Sequence, residues 1–328
     1  GGTFVSGGIT LNDAQSKLLL NSITLDSAST SANSLGVDVD ETSTVTSLTV
    51  GHITPVSIKA GRSLSGVVTV TAGSIKLGET GSLASAVTMS GGTLEADNNL
   101  TLSGPLTQSG NITIAVAENK TLGYSGAAVN LGAKTLTMSG KGTFNNTNAL
   151  VLNDASSKLL LSNTATVNSA STSANNSGVD VDEDSTITSL TVVHTTPVSI
   201  ADGKTLSGGI TVTAGSIKLG ETGTLASAVT MSGGTLDVDE TLTLSGALTQ
   251  SGNITIAVAE DKTLGYSGAA VNLGAYTLTM SGKGTFNNTN ALVLNDASSK
   301  LLLSNTTTVS SASTSANNSG VDVDDSST

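Results

Sequence analysis

Apolar and polar residues alternate along this chain in short bursts. From Val229 it reads VTMSGG, TLDVDE, TLTLSG, ALTQSG, NITIAV and AEDKTLGYSG, each burst closed by Ser-Gly, Gly-Gly or a comparable turn signal. Leu242 and Leu244 fall on one side of the chain and Thr241 and Thr243 on the other, which is the two-residue period of a β-strand. Ile254, Ile256 and Val258 repeat the pattern, as do Leu278 and Met280. Helical spacing is found over no useful length, so the pattern predicts an all-β protein of many short strands.

The bursts belong to a long repeat. Lys141 to Thr186 recurs at Lys283 to Thr328 with four differences in 46 positions, and Lys59 to Gly140 recurs at Ala201 to Gly282 with 14 differences in 82. Both pairs of segments stand at the same offset, a 142-residue period. Thr3 to Val50 is a diverged, slightly shorter copy of Thr143 to Val192. The expected organisation is one continuous solenoid excerpt over 1–328, divided as copy 1 (1–142), copy 2 (143–284) and the start of copy 3 (285–328). Both ends fall mid-copy and neither reads as the polar cap a solenoid needs, so an excerpt of a longer array is expected. About 20 strand-like pieces per period, taken three to a turn, predict a β-solenoid (parallel β-helix) with about seven coils of about 20 residues each. Coils stacked at ~4.8 Å would make each period rise ~34 Å.

Composition fits a thin tube. There is no Cys or Trp, and only three Phe and three Tyr among 328 residues. That excludes disulfides and thiolate metal sites, and it predicts a narrow interior of Leu, Val, Ile, Met and Ala with little room for indoles. Ser and Thr suit the outward faces, and Gly and Asn the corners, where positive φ angles are needed. The net charge of −12, with Arg62 as the only arginine, argues against nucleic acid as a partner. No apolar run approaches the ~20 residues of a membrane span.

GGTLDVDETLTLSGALTQSGNITIA (Gly233 to Ala257) and AEDKTLGYSG (Ala259 to Gly268) carry a resemblance. The chain resembles the repetitive, Ser/Thr/Gly/Asn-rich β-helical stalks of bacterial surface proteins: filamentous-haemagglutinin-type adhesins, autotransporter passengers and giant tandem-repeat extracellular proteins. The resemblance covers essentially the whole chain. It implies a secreted, elongated scaffold at the cell surface and transfers no functional residue.

Candidate chemistry is sparse. The acidic runs GVDVDE at Gly36, GVDVDED at Gly178 and GVDVDD at Gly320 offer Asp38, Asp40, Asp180, Asp182, Asp184, Asp322 and Asp324 as oxygen ligands of the kind Ca²⁺ takes. Alternate residues on a strand lie ~6.7 Å apart, wider than the ~5 Å that two oxygens on one Ca²⁺ can span. The runs are therefore read as a solvated acidic face, with no cofactor required. His52 and His194 occupy equivalent places in successive copies, with no nucleophile or orienting carboxylate at a recognisable spacing, and are read as corner residues. Thr-x-Thr pairs (Thr186/Thr188, Thr211/Thr213, Thr241/Thr243, Thr277/Thr279) suggest an ice-binding ladder, yet the steps from one pair to the next are unequal and do not match one coil. A polysaccharide-degrading β-helix would need paired carboxylates and aromatics to stack on sugars; Tyr124, Tyr266 and Tyr276 lie in no evident acidic cleft.

The expectation is a non-enzymatic structural solenoid that self-associates, end to end or laterally, into an extracellular filament or stalk. The alternative is an adhesin that contacts a glycan or cell-surface receptor along the rod.

Overall fold

The structure is a computed structural model that describes every residue except 1, 12, 14, 28–29, 33–35, 175–177, 306, 317–319 and 324–326. Asp324 therefore lies outside the described residues. The described residues are all β, with parallel strands wound as a β-solenoid of about 15 turns, ~20 residues apart. They fall into two compact units, Gly1–Val151 with Ser157–Ser171, and Leu152–Ser156 with Thr172–Thr328.

In the second unit one sheet takes a single strand from each coil: Gly178–Val181, Thr196–Ile200, Ser216–Leu219, Thr235–Val238, Ile254–Val258, Thr277–Gly282, Lys300–Leu303 and Gly320–Val323. Each pairs in parallel with the next. Seven steps lead from Gly178–Val181 to Gly320–Val323, two strands that are equivalent by the 142-residue repeat, as the pattern predicts. The other sheet takes two strand positions per coil. In some coils they are separate, as in Thr224–Leu225 and Ala228–Met231; in others they fuse into one bent strand, as in Ser185–Val192, Thr205–Val212 and Thr285–Leu294. We call these the single-strand and paired-strand sheets. The first unit is built the same way, its single-strand sheet running from Lys17–Leu20 to Lys158–Leu161.

Alternation explains the burial. In Ile254–Val258 the three aliphatic positions are buried and Thr255 and Ala257 are half-buried on the outer face. The strands Thr235–Val238, Thr263–Tyr266 and Lys300–Leu303 follow the same two-residue rule. Inward side chains stack on like neighbours of adjacent coils, such as Ile210 on Val229 and Val229 on Leu248.

The bends depend on glycine. Between Ile187 and Leu190 the pairing register slips, and opposite that bulge Gly208 has φ +115°, where an added Cβ would come within 1.8 Å of the Ile187 carbonyl oxygen. Gly66 repeats the arrangement against Val45 at φ +113° and 1.8 Å. Only a residue without a side chain lets adjacent coils turn together here.

Tyrosine and phenylalanine rings join the aliphatic side chains in the interior. Tyr124 and Phe144 in the first unit, and Tyr266 and Phe286 in the second, are the largest fully buried side chains. The reason is coil width. Compared with the coil that separates the partners Ser216↔Thr235, the coil between Ile254 and Leu278 is five positions longer and that between Thr277 and Lys300 four positions longer. Those two wide coils hold Tyr266 and Phe286, whose centroids stack 6.0 Å apart. The added residues enlarge the perimeter and the rings fill the space, avoiding a costly void.

Candidate functional site

The acidic runs lie at outward positions of the single-strand sheet and at the turns that follow. In Gly36–Val39 the valines are buried while Asp38 is half-buried on the outer face. Its partner across the sheet in the next coil is Ser57, and that of Asp180 is Ser199, so the stacking brings no second carboxylate alongside. It brings lysines instead. Lys17, one coil before Asp38, reaches it at 2.5 Å, and Lys300 reaches Asp322 at 2.7 Å. Asp38 and its hydrogen bond hold the Lys17 ammonium above its ordinary value.

The turn acids are likewise drawn to neighbours. Asp184 accepts the Thr205 backbone N–H at 2.8 Å, Glu183 pairs with Lys204 at 2.6 Å, and Glu41 pairs with Arg62 at 3.1 Å. The Asp40 backbone N–H donates to the Leu20 carbonyl, and Asp182 is exposed. Among the described residues no group of three or more His, Cys, Asp or Glu could hold a metal ion.

Other single-strand coils show the same arrangement. Lys218 pairs with Asp239 at 2.9 Å, and Lys76 with Asp97 at 3.2 Å and Glu95 at 3.6 Å. Asp237, half-buried beside Asp239, is pushed above the usual carboxylate range first by burial and then by Asp239, with Lys218 pulling it back. This offset was legible in the sequence as a Lys followed one coil length later by an Asp (Lys17/Asp38, Lys218/Asp239, Lys300/Asp322).

The remaining candidates fall into structural places. His52 and His194 are exposed. The His52 carbonyl accepts from Ser74 N–H, and an added Cβ on Gly73 would lie 2.5 Å from the His52 backbone; Gly215 approaches His194 in the same way. Tyr266 is wholly buried. Its hydroxyl donates to the Ala269 carbonyl at 2.6 Å and accepts the Leu248 N–H at 3.1 Å, and Tyr124 does the same with Ala127 and Leu106. Burial pushes both phenols above their ordinary value, against the lowering effect of those N–H donors. Two concavities are shallow and open. One of about 260 Å³ is lined by Arg62, Ser63, Thr80, Ser82 and Thr101, and one of about 230 Å³ by Thr3, Ser22, Thr24, Thr42 and Thr44. Neither lining contains a carboxylate.

The Thr-x-Thr pairs do scatter: Thr277 and Thr279 lie on the single-strand sheet, whereas Thr186, Thr188, Thr211 and Thr243 lie in strands of the other. Threonine columns nevertheless exist: Thr205, Thr224 and Thr243 on the paired-strand sheet, Thr235, Thr255 and Thr279 on the single-strand sheet, and a longer one of four. Thr191, Thr211, Thr230 and Thr249 are register partners on four successive coils, and Thr49, Thr69, Thr88 and Thr107 are their counterparts in the first unit. Searching for pairs along the chain hides this column, whose members recur singly, once per coil.

These features define a β-solenoid built from tandem repeats, with structural roles for nearly every polar group that stands out. No family model matches the chain, and neither a curated protein nor a solved structure matches it.

Proposed function

We propose that this chain is a length of a structural filament or stalk, secreted and displayed outside the cell, that acts without catalysis and without a metal or cofactor. The observation that carries this reading is the reuse of one set of contacts. The Tyr–Phe stack, the cross-coil lysine pairs and the glycine-dependent bends recur in both units, whereas a catalytic site need occur only once. A coil bonded to the one before and the one after gives stability that accumulates with length, and the acidic surface keeps such chains dispersed.

Mass per length tests the reading. Filaments of this chain should hold ~20 residues per ~4.8 Å of axis, about 0.4 kDa per Å at 32.2 kDa for 328 residues. One whole chain per ~4.8 Å layer, or no filament at any concentration, overturns it.

One observation favours an adhesin as the second reading. Tyr276 stands where the preceding copy has Lys134, and its side chain is 36% exposed, the kind of platform a sugar ring stacks on. A glycan array with the chain and its Tyr276→Lys variant decides: binding lost in the variant supports the adhesin, and absence of binding in both rejects it.

A further inference from the structure

The charges are segregated. Among the described residues of the second unit, the paired-strand sheet contains no charged residue in any strand from Ser185–Val192 to Thr308–Ala316, and in the first unit Asp26 is the one exception. Among the described residues of the second unit its outer positions hold Thr, Ser, Ala, Gly, Asn and a few Val. The single-strand sheet, by contrast, carries Asp180, Lys218, Asp237, Lys300 and Asp322, and the remaining charges among the described residues of the second unit sit in turns and connections. Apart from Asp26, the charges of the described residues are therefore confined to one sheet and the corners.

Beside the threonine column Thr191, Thr211, Thr230, Thr249 runs a second column of small residues, Gly209, Ala228 and Ala247, also in register. These positions are exposed or half-buried. A surface so regular, short-chained and free of Lys or Glu lacks the devices by which sheet faces and edges are kept from sticking.

We infer that this uncharged threonine-bearing face is a self-association surface, on which a second copy of this chain packs side by side. The inference rests on the filament reading and names the face through which filaments would bundle. Two observations single out a second copy as the occupant. Two chains of charge −12 repel through every charged face, and the paired-strand face is where they meet without juxtaposing like charges. A second copy also has the same ~4.8 Å coil spacing, so its rows of hydroxyl and methyl groups match row for row, and small side chains let two sheets approach to ~10 Å or less.

The contact is modest per repeat. Seven coils at ~4.8 Å and about five residues of strand at ~3.3 Å give a face of ~34 by ~17 Å. That is ~570 Å² per partner, below the ~800 Å² of a standard stable interface. Association is therefore weak for one repeat and strengthens as repeats are added.

Sedimentation velocity of the 328-residue chain at ~0.01 M and ~0.15 M salt tests it. Association should rise by about tenfold or more at the higher salt as repulsion is screened, the opposite of an interface held by ion pairs. The double variant Thr230→Lys/Thr249→Lys should associate at least about tenfold more weakly, although it lowers the net negative charge. Ala228→Gln/Ala247→Gln, which blocks close approach without charge, should do the same. The matched control Thr255→Lys/Thr279→Lys, on stacked outer positions of the single-strand sheet, should associate like the parent, and circular dichroism reports whether each variant keeps its β content. A parent that stays monomeric at both salts up to millimolar concentration, or a control weakened as much as the face variants, overturns the inference. Filaments of single width that never bundle overturn it while leaving the filament reading intact. Salt-promoted dimers without filaments support the face and count against the filament.

Discussion

Replacing Tyr266 by Phe removes one oxygen atom and leaves the ring in place. The hydroxyl joins two backbone groups that do not bond each other, the Leu248 N–H and the Ala269 carbonyl. Phe keeps the burial of the ring, some ~150–250 Å² and so ~4–6 kcal/mol, and keeps the stack on Phe286. What is lost is partnership for two interior polar groups, at ~1–3 kcal/mol each, or ~2–6 kcal/mol together. In a solenoid that loss is local, because a coil touches only its neighbours. The measurement is therefore amide hydrogen exchange of the peptide spanning Leu248–Gln250, which should quicken between about thirtyfold and roughly twenty-thousandfold. Exchange in Thr205–Val212, two coils away, should stay as in the parent. An unchanged rate at Leu248 would refute the bridging role, and an equal rise in both segments would refute local stability.

Four other outcomes follow from the geometry. Gly208→Ala forces a Cβ onto the Ile187 carbonyl oxygen and should cost at least ~2–4 kcal/mol, seen as early denaturant unfolding of Ser185–Val212; a variant as stable as the parent would show that the bend does not need glycine. Alkaline melts should fall in two overlapping ways. The raised phenols of Tyr124 and Tyr266 and the raised ammonium groups of Lys76 and Lys218 all hold their protons more tightly when folded, so their stabilisation is full below about pH 10 and drains away as pH rises through their folded values; a melting temperature flat to about pH 12 would contradict this. Asp237→Asn should raise the melting temperature near neutral pH, where the half-buried carboxylate is charged at a cost, and the gain should vanish as pH falls through its raised value and the parent protonates; a loss of stability near neutral pH would mean that Lys218 outweighs burial. Calcium titration should leave the melting temperature where it was, since Lys17 and Lys300 occupy Asp38 and Asp322; a shift reversed by chelator would establish a calcium site.

Much of the fold was legible because a strand and a helix leave different periods. The TLTLSG and NITIAV runs fixed strand character, and the 142-residue period divided by the burst length gave seven coils, as the pairings bear out in the second unit. What escaped was whatever depends on which residues stack across coils. The burial of Tyr266 and Phe286 depends on coils five and four positions longer than the coil between Ser216 and Thr235, a width that shows only once the strand partners are known. The threonine column was invisible to a search along the chain, because coil lengths that differ by one position put Thr191, Thr211, Thr230 and Thr249 in line without a constant interval. The acidic runs were weighed alone, while their meaning lay in a lysine one coil earlier.

The match between seven coils and one repeat has a genetic consequence. A duplicated repeat block enters as a whole number of coils, so each of its strands meets the same kind of neighbour that the original strand met. Recombination between copies can then lengthen or shorten the protein without creating a single new interior contact. Tract length can then vary while the packing that selection has to maintain stays that of one block.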